Sequence, residues 1–298
     1  MNSVSWEEYV SIKKMNVSTL VHGCHSMRRL KRYIDGHRKE TQEMVLGVAM
    51  HSLTLEPDQF EERHCKMPDF HLEPGNVTAK GEQTESKLTK YYKSRVAEFA
   101  ANNAGKSIIG QHQYDSLLYA IESLRSRPRI ASIIDSCEKE VTFEESVLGV
   151  PFKGRMDLVK KGLIVDLKTT ANCHKFAFGR VFVNQRYDFK MSIYRELYRA
   201  KYQEDCEVGI ICVEIGNDFD CCYVPIPGIV LDNAMDRVVR VLCEYQKCVE
   251  SGEWPGVDGG ADEYELAIPN WSMEDEEESV DWQELPNEAN QEIAEVPF

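Results

Sequence analysis

No stretch of this 298-residue chain is apolar for long enough to cross a bilayer, which argues against a membrane-spanning protein. The first eight residues, from Met1 to Glu8, lack the basic and apolar regions of a secretion signal. Among ten cysteines there is no Cys-x-x-Cys pair, so the usual spacing of structural zinc is missing. An iron–sulfur cluster would have to gather four cysteines from scattered positions. Cysteines without a secretion signal imply free thiols in a reducing interior, and hence a cytoplasmic protein. No internal repeat is present. The last absence is local: from Cys248 to Phe298 there are 16 Asp and Glu but no Lys or Arg.

That asymmetry makes the formal charge of −15 a poor guide to partners. Removing those 16 acids from the total of 50 leaves 34 acids against 35 bases, about +1. The body carries basic clusters at Arg28–Arg32, at Arg125–Arg129, and at Lys153 with Arg155. A nucleic-acid partner is electrostatically reasonable for it, although any one such cluster is more often a solvated face.

Along the chain, Ser18 is placed to cap a helix toward Tyr33, and Thr41 to cap a second one ending near Glu56-Pro57. Gly47 and Ala49 in that helix would admit close approach of another backbone. Residues 66–85 read as loop, and 66–110 as a mobile region whose Lys80, Lys87, Lys90 and Lys93 are available for phosphates. Glu85–Asn102 and Gln111–Arg125 read as helices, with Pro128 closing the helical part. A three-strand meander over 139–170 follows. Phe176–Val183 is ambiguous, and Tyr187–Tyr202 has clear helical spacing. Two strands, Glu207–Ile215 and Phe219–Ile226, precede a helix over Leu231–Val249.

The meander carries the chemistry. Asp157 lies in the strand Val150–Lys160, and Asp166 and Lys168 lie in Leu163–Thr170, joined by the tight turn Lys160-Lys161-Gly162. Charges at the centre of core strands are costly unless something compensates them, and a divalent cation would compensate two acids. Alternation puts Phe152, Met156 and Leu158 on one face, and Lys153, Arg155 and Asp157 on the other. It likewise sets Leu163, Val165 and Leu167 opposite Asp166 and Lys168. One strand earlier, Val141 and Phe143 alternate with acids, and parity does not separate Glu138, Glu140 and Glu144. The competing reading is three half-exposed strands with a solvated polar face. The Asp-x-Lys end of the last strand favours a site.

An acid, a gap, then acid-x-Lys is the signature of the PDDEXK nucleases, and helix, meander, helix, two strands is their core layout. Residues Leu46 to Phe60, Gly154-Arg155-Met156-Asp157 and Asp166-Leu167-Lys168-Thr169-Thr170 resemble the corresponding segments of the RecE-type exonucleases, over roughly residues 15–250. The resemblance implies an α/β, restriction-endonuclease-like core: a central mixed sheet flanked by helices. It implies an exonuclease domain over 1–250, with a helical part at 1–135 and a catalytic core at 136–250. An acidic tail, expected to be disordered, covers 251–298 and includes Glu274–Glu278.

By the same resemblance His51, Glu140, Asp157 and Asp166 would hold metal, with Glu140, Asp157, Asp166 and Lys168 catalytic. Arg155, Thr169, Tyr187, Lys190 and Tyr194 would meet substrate. The family pattern Tyr-x-x-Gln-x-x-x-Tyr reads Tyr187 to Tyr194 here, with Lys190 where glutamine is usual. The expected cofactor is Mg²⁺, with Mn²⁺ admitted by the histidine. Whether one metal or two act is open. The implied activity is 5′ to 3′ digestion of linear double-stranded DNA from its ends by a ring-shaped homo-oligomer, passing a 3′ single strand to an annealing protein in phage-type recombination. The alternatives are a restriction- or repair-type endonuclease, or a non-catalytic DNA- or partner-binding protein.

Overall fold

The structure is a computed structural model that describes residues 4–37, 41–216 and 218–267. The chain divides into two units, Met1–Gly259 and Gly260–Phe298. Residues 261–267 of the second carry neither α-helix nor strand, and the acidic run Glu274–Glu278 lies outside the described residues.

The first unit opens with α1 (Trp6–Ser11), β1 (Met15–Asn16), α2 (Val17–Leu20), α3 (Met27–Ile34) and α4 (Gln42–Leu55). Then come α5 (Phe60–Arg63), β2 (His64–Met67), α6 (Lys90–Asn102), β3 (Ser107–Gly110), α7 (Gln111–Ser126) and α8 (Pro128–Ser136). The core follows: β4 (Glu138–Phe143), β5 (Ser146–Val147), β6 (Val150–Lys160), β7 (Leu163–Thr170), α9 (Lys175–Asn184), α10 (Tyr187–Tyr202), β8 (Glu207–Glu214), β9 (Cys221–Pro225) and α11 (Gly228–Ser251).

β7 is the central strand. It runs antiparallel to β6 and is paired parallel to β8 over its whole length, Leu163↔Glu207 to Thr170↔Glu214. β4 adds antiparallel to β6, and β9 to β8. The result is a mixed sheet with helices on both faces. On one face Met27 and Leu30 of α3, Tyr194 and Leu197 of α10, and Val238 of α11 pack on Phe152, Met156 and Ile164. On the other, Ala49 and Met50 of α4, Leu117 of α7 and Ile134 of α8 pack on Val165, Leu167 and Ile211.

Local chemistry accounts for the boundaries. Thr41 Oγ1 accepts from Met44 N at 3.4 Å and starts α4. Ser26, not Ser18, caps Met27–Ile34, because the chain before it is broken by a tight 3₁₀ turn at Val21–Cys24. Pro128 opens a helix instead of closing one, since a proline at the first position removes only a donor that has no helical partner there. Gly162 turns at φ 74° in the two-residue β6–β7 connection. The ambiguous stretch becomes α9.

Gly154 has a packing role. A Cβ there would meet the Tyr194 ring at 2.8 Å, so the glycine lets α10 lie against β6. Gly47 is not demanding in this way, because its Cβ would sit at an ordinary 3.6 Å from Thr169 Oγ1. An irregular tail was expected from Ser251, but residues just past it make ordered contacts. Pro255 O accepts from Arg28 N at 2.8 Å, and the Trp254 ring packs on Tyr245 at 6.0 Å between centroids. Burying part of a tryptophan outweighs the acidity around it.

Candidate active site

The site forms where β4, β6 and β7 meet the C-terminal half of α4. Glu140 lies opposite Asp157, between the pairs Lys139↔Leu158 and Val141↔Met156, but this position of the ladder is unpaired. Glu140 takes a left-handed backbone, φ 51°, which costs a non-glycine residue about 1 kcal/mol. Met156 stays in one core cluster, while Leu158 points into the other. The expectation that they share a face is therefore corrected: Met156 and Leu158, two residues apart on β6, pack in different cores.

Glu140 is the one of the three candidate glutamates brought to His51 and Asp157. Glu144 pairs instead with Lys14 at 3.2 Å, and Glu138 is exposed at the start of β4. His51 Nε2 lies 2.8 Å from the Leu167 carbonyl. A carbonyl only accepts, so Nε2 carries the proton. That turns Nδ1 toward Asp157 Oδ2 at 3.6 Å and Glu140 Oε1 at 3.9 Å. Ligand atoms of His51, Glu140 and Asp157 lie within 4.8 Å of one another, the one such group among the described residues. No cysteine cluster competes with it there.

Leu167 ties the strands together. Its N–H donates to Asp157 Oδ2 at 2.6 Å, and its carbonyl also accepts from Lys168 Nζ at 3.1 Å. Burial raises the Asp157 pKa to about 6, with the nearby Asp166 charge adding to it and His51 and Lys168 opposing. Burial works against the His51 imidazolium, yet Asp157 and Glu140 together raise its pKa. Burial would raise Glu140 as well, but His51 and Arg155 bring it below the usual carboxylate range.

Asp166 is almost fully buried and sits between two ammonium groups, an ion pair with Lys168 and Lys190 Nζ at 3.0 Å. The two cations overcome its desolvation and hold its pKa well below normal. Lys190 is thus turned to a carboxylate of the site, and Asp166 raises its pKa against the effect of burial. Lys168 Nζ lies 5.5 Å from the centre of the Tyr187 ring, and Tyr194 donates to the Arg155 carbonyl at 3.0 Å. Burial raises the Tyr187 pKa to about 12 and that of Tyr194 further still. Both hydroxyls stay protonated. Thr169 lies one residue on, facing Gly47 of α4.

The sequence reading missed the group behind Glu140. Arg155 donates from Nε to Glu140 Oε2 at 2.6 Å and from Nη2 to Glu56 Oε1 at 3.1 Å. Arg63 completes the chain, donating to Glu56 Oε2 at 2.6 Å. This buried network fixes the end of α4 to β6 and β4. Arg155 is turned away from solvent, 7 % exposed, so it supports the site from within. A charged Glu56 at the end of an apolar helix was the available signal.

The donor set suits a divalent cation. Two carboxylates match Mg²⁺, and the imidazole nitrogen broadens the choice to Mn²⁺. The raised Asp157 pKa marks a buried carboxylate short of positive charge, which a dication would supply. The Leu167 carbonyl orients the imidazole as outer partners of metal-bound histidines do. Asp166, closed off by two lysines, joins the cluster only if those contacts loosen.

Among solved structures, the chain is similar to a Eubacterium rectale protein classed as an exonuclease: 18 % identity, TM-score 0.51, 90 % of this chain and 96 % of that one. A phage-related exonuclease from Haemophilus somnus matches at 15 % identity, TM-score 0.30, over 65 % of this chain and 99 % of that one. An alkaline exonuclease from Laribacter hongkongensis matches at 11 % identity, TM-score 0.28, over 56 % and 85 %. The first of these likenesses concerns the fold alone. No curated protein matches the chain. No described helix is long and apolar enough to cross a membrane. The model of the PDDEXK-like domain of unknown function (DUF3799) matches residues 13–266, and the chain belongs to that family.

Proposed function

We propose that this protein is a divalent-metal-dependent deoxyribonuclease that digests linear double-stranded DNA from its ends. The observation that carries this reading is the convergence of His51 Nδ1, Glu140 and Asp157 within 4.8 Å, beside the Asp166–Lys168 pair, in a PDDEXK-like chain. His51, Glu140 and Asp157 would hold the cation, with Asp166 joining on activation. The cation, Mg²⁺ or Mn²⁺, would offset the charge of the phosphodiester and lower the pKa of a bound water.

The chain's own groups do the rest. The Leu167 carbonyl keeps the His51 proton on Nε2, so Nδ1 presents its lone pair to the cluster once its proton is displaced. Lys168, held by Asp166 and the Leu167 carbonyl, is the cation placed to meet a phosphate oxygen as negative charge builds in the transition state. Paired with Asp166 and bonded to the Leu167 carbonyl, it serves as an electrostatic stabiliser of that charge. Tyr187 offers a hydroxyl and a ring beside it, and Thr169 lies at the rim.

The finer reading is 5′ to 3′ polarity, a cytoplasmic ring oligomer on DNA, and transfer of the 3′ strand to an annealing protein. The testing experiment is Mg²⁺-dependent digestion of a linear duplex labelled separately at each 5′ and 3′ end, with a covalently closed circle alongside. Loss of 5′ label first, with the circle intact, is expected. Cutting of the circle would mean an endonuclease, and no cleavage of either would end the reading.

A further inference from the structure

A short helix at the edge of the site carries an exposed aromatic ring. α1 has only six residues, too few to persist alone in water. Two buried cations of β6 hold it in place. Lys153 Nζ donates to the carbonyls of Tyr9 at 2.8 Å and Val10 at 3.2 Å, closing the C-terminal end of the helix. Arg155 Nη1 donates to the Val4 carbonyl at 3.3 Å, just before it. Ser5 and Glu8 complete the N-terminal end with a reciprocal pair of hydrogen bonds, 3.2 Å and 2.8 Å.

This anchoring fixes Trp6, a residue 50 % exposed although tryptophan is normally well covered. The ring packs on Tyr9 at 5.7 Å, and its centre lies 5.8 Å from the Arg155 guanidinium. That same guanidinium bonds to Glu140 at 2.6 Å. One side chain therefore separates the ring from a carboxylate of the candidate metal cluster. Trp6 stays half open to solvent while β6 holds the backbone on either side of it, an arrangement suited to a flat ligand. A nucleotide whose phosphate reaches the acids has a base within one residue's distance of them, and aromatic rings stack on any base.

We infer that Trp6 is a stacking platform for an unpaired base of the DNA strand whose phosphate enters the site. This rests on the nuclease reading and deepens it, since the bound strand end must be frayed or single-stranded next to the scissile group. Trp6 positions substrate and takes no part in the metal cluster.

The test uses the full-length protein and a labelled duplex with a two-nucleotide single-stranded tail. Binding is measured by anisotropy in EDTA, and cleavage separately in Mg²⁺. Trp6→Ala should bind roughly 5- to 100-fold more weakly, the range for loss of one stacked base, while Trp6→Phe stays close to wild type. Removing the tail bases (abasic sugars) should weaken the wild type to the level of Trp6→Ala and leave Trp6→Ala unchanged. Melting curves and their shift with Mn²⁺ should be the same for all three proteins. Equal loss from base removal in wild type and Trp6→Ala would overturn the inference and leave the nuclease reading intact. A wild type that neither binds nor cuts the DNA would overturn both.

Discussion

Asp157→Asn should stabilise the metal-free protein at neutral and alkaline pH. Asp157 is buried, and its pKa rises from 3.8 to about 6 on folding. A raised carboxyl pKa means that the folded chain holds the proton more tightly than the unfolded one. The penalty for ionising it is absent below about pH 4, grows between pH 4 and 6, and is constant above. Over that interval of two pKa units it reaches about 3 kcal/mol. Asparagine keeps an acceptor for the Leu167 N–H and removes the charge. For a domain of this size, about 1 kcal/mol moves Tm by 2–4 °C, so the metal-free variant should melt about 5 °C or more above wild type at pH 8. The gain should vanish at pH 4. Adding Mn²⁺ should reverse the ranking, because a cation that binds only the folded wild type raises its Tm and leaves the variant unmoved. Differential scanning calorimetry at pH 4 and 8, with EDTA or Mn²⁺, measures all of this. A variant less stable than wild type at pH 8 in EDTA, or one that Mn²⁺ stabilises equally, would refute the electrostatic argument.

Lys190→Gln removes one of the two cations on Asp166 and should tighten Mn²⁺ binding by about tenfold in calorimetric titration, the order expected for one nearby charge in a partly buried site. Arg155→Met leaves Glu56 and Glu140 buried without their shared partner; it should cost about 3 kcal/mol in urea unfolding and weaken Mn²⁺ binding. Gly154→Ala should lower Tm with little change in metal affinity, because its methyl group meets the Tyr194 ring and not the acids. Deleting residues 268–298 takes away ten acids and no base; it should leave Tm unchanged and strengthen DNA binding at low salt, an effect that fades at high salt.

Periodicity made the two most regular parts of the core readable. Tyr187–Tyr202 matches α10 to the residue, and β6, β7 and their turn appear as the alternation and Lys161-Gly162 indicate. Asp157, Asp166 and Lys168 stood out because charges in core strands require compensation. The choice of Glu140 was not readable, since Glu138, Glu140 and Glu144 share one parity and only the fold brings Glu140 to His51 and Asp157. Alternation also misplaced Leu158, which packs in the core opposite that of Met156. His51 stood out only through the family resemblance, because its partner is a main-chain carbonyl 116 residues away. Glu56 and Trp6 were missed for a related reason. Their meaning comes from Arg155, which was expected to meet substrate and which the fold turns inward. The segment 66–85 carries more order than its composition suggested, with β2 and β3 paired in parallel around it and Asn76 Nδ2 donating to three carbonyls.

Diffraction from crystals soaked in Mn²⁺, recorded at the manganese absorption edge, locates the cation without reference to activity. An anomalous peak bounded by His51 Nδ1 and carboxylate oxygens of Glu140 and Asp157, lost in Asp157→Asn, is the predicted result. A wild-type map with no peak there, or with manganese bound only elsewhere, would contradict the assignment of this cluster as the metal centre.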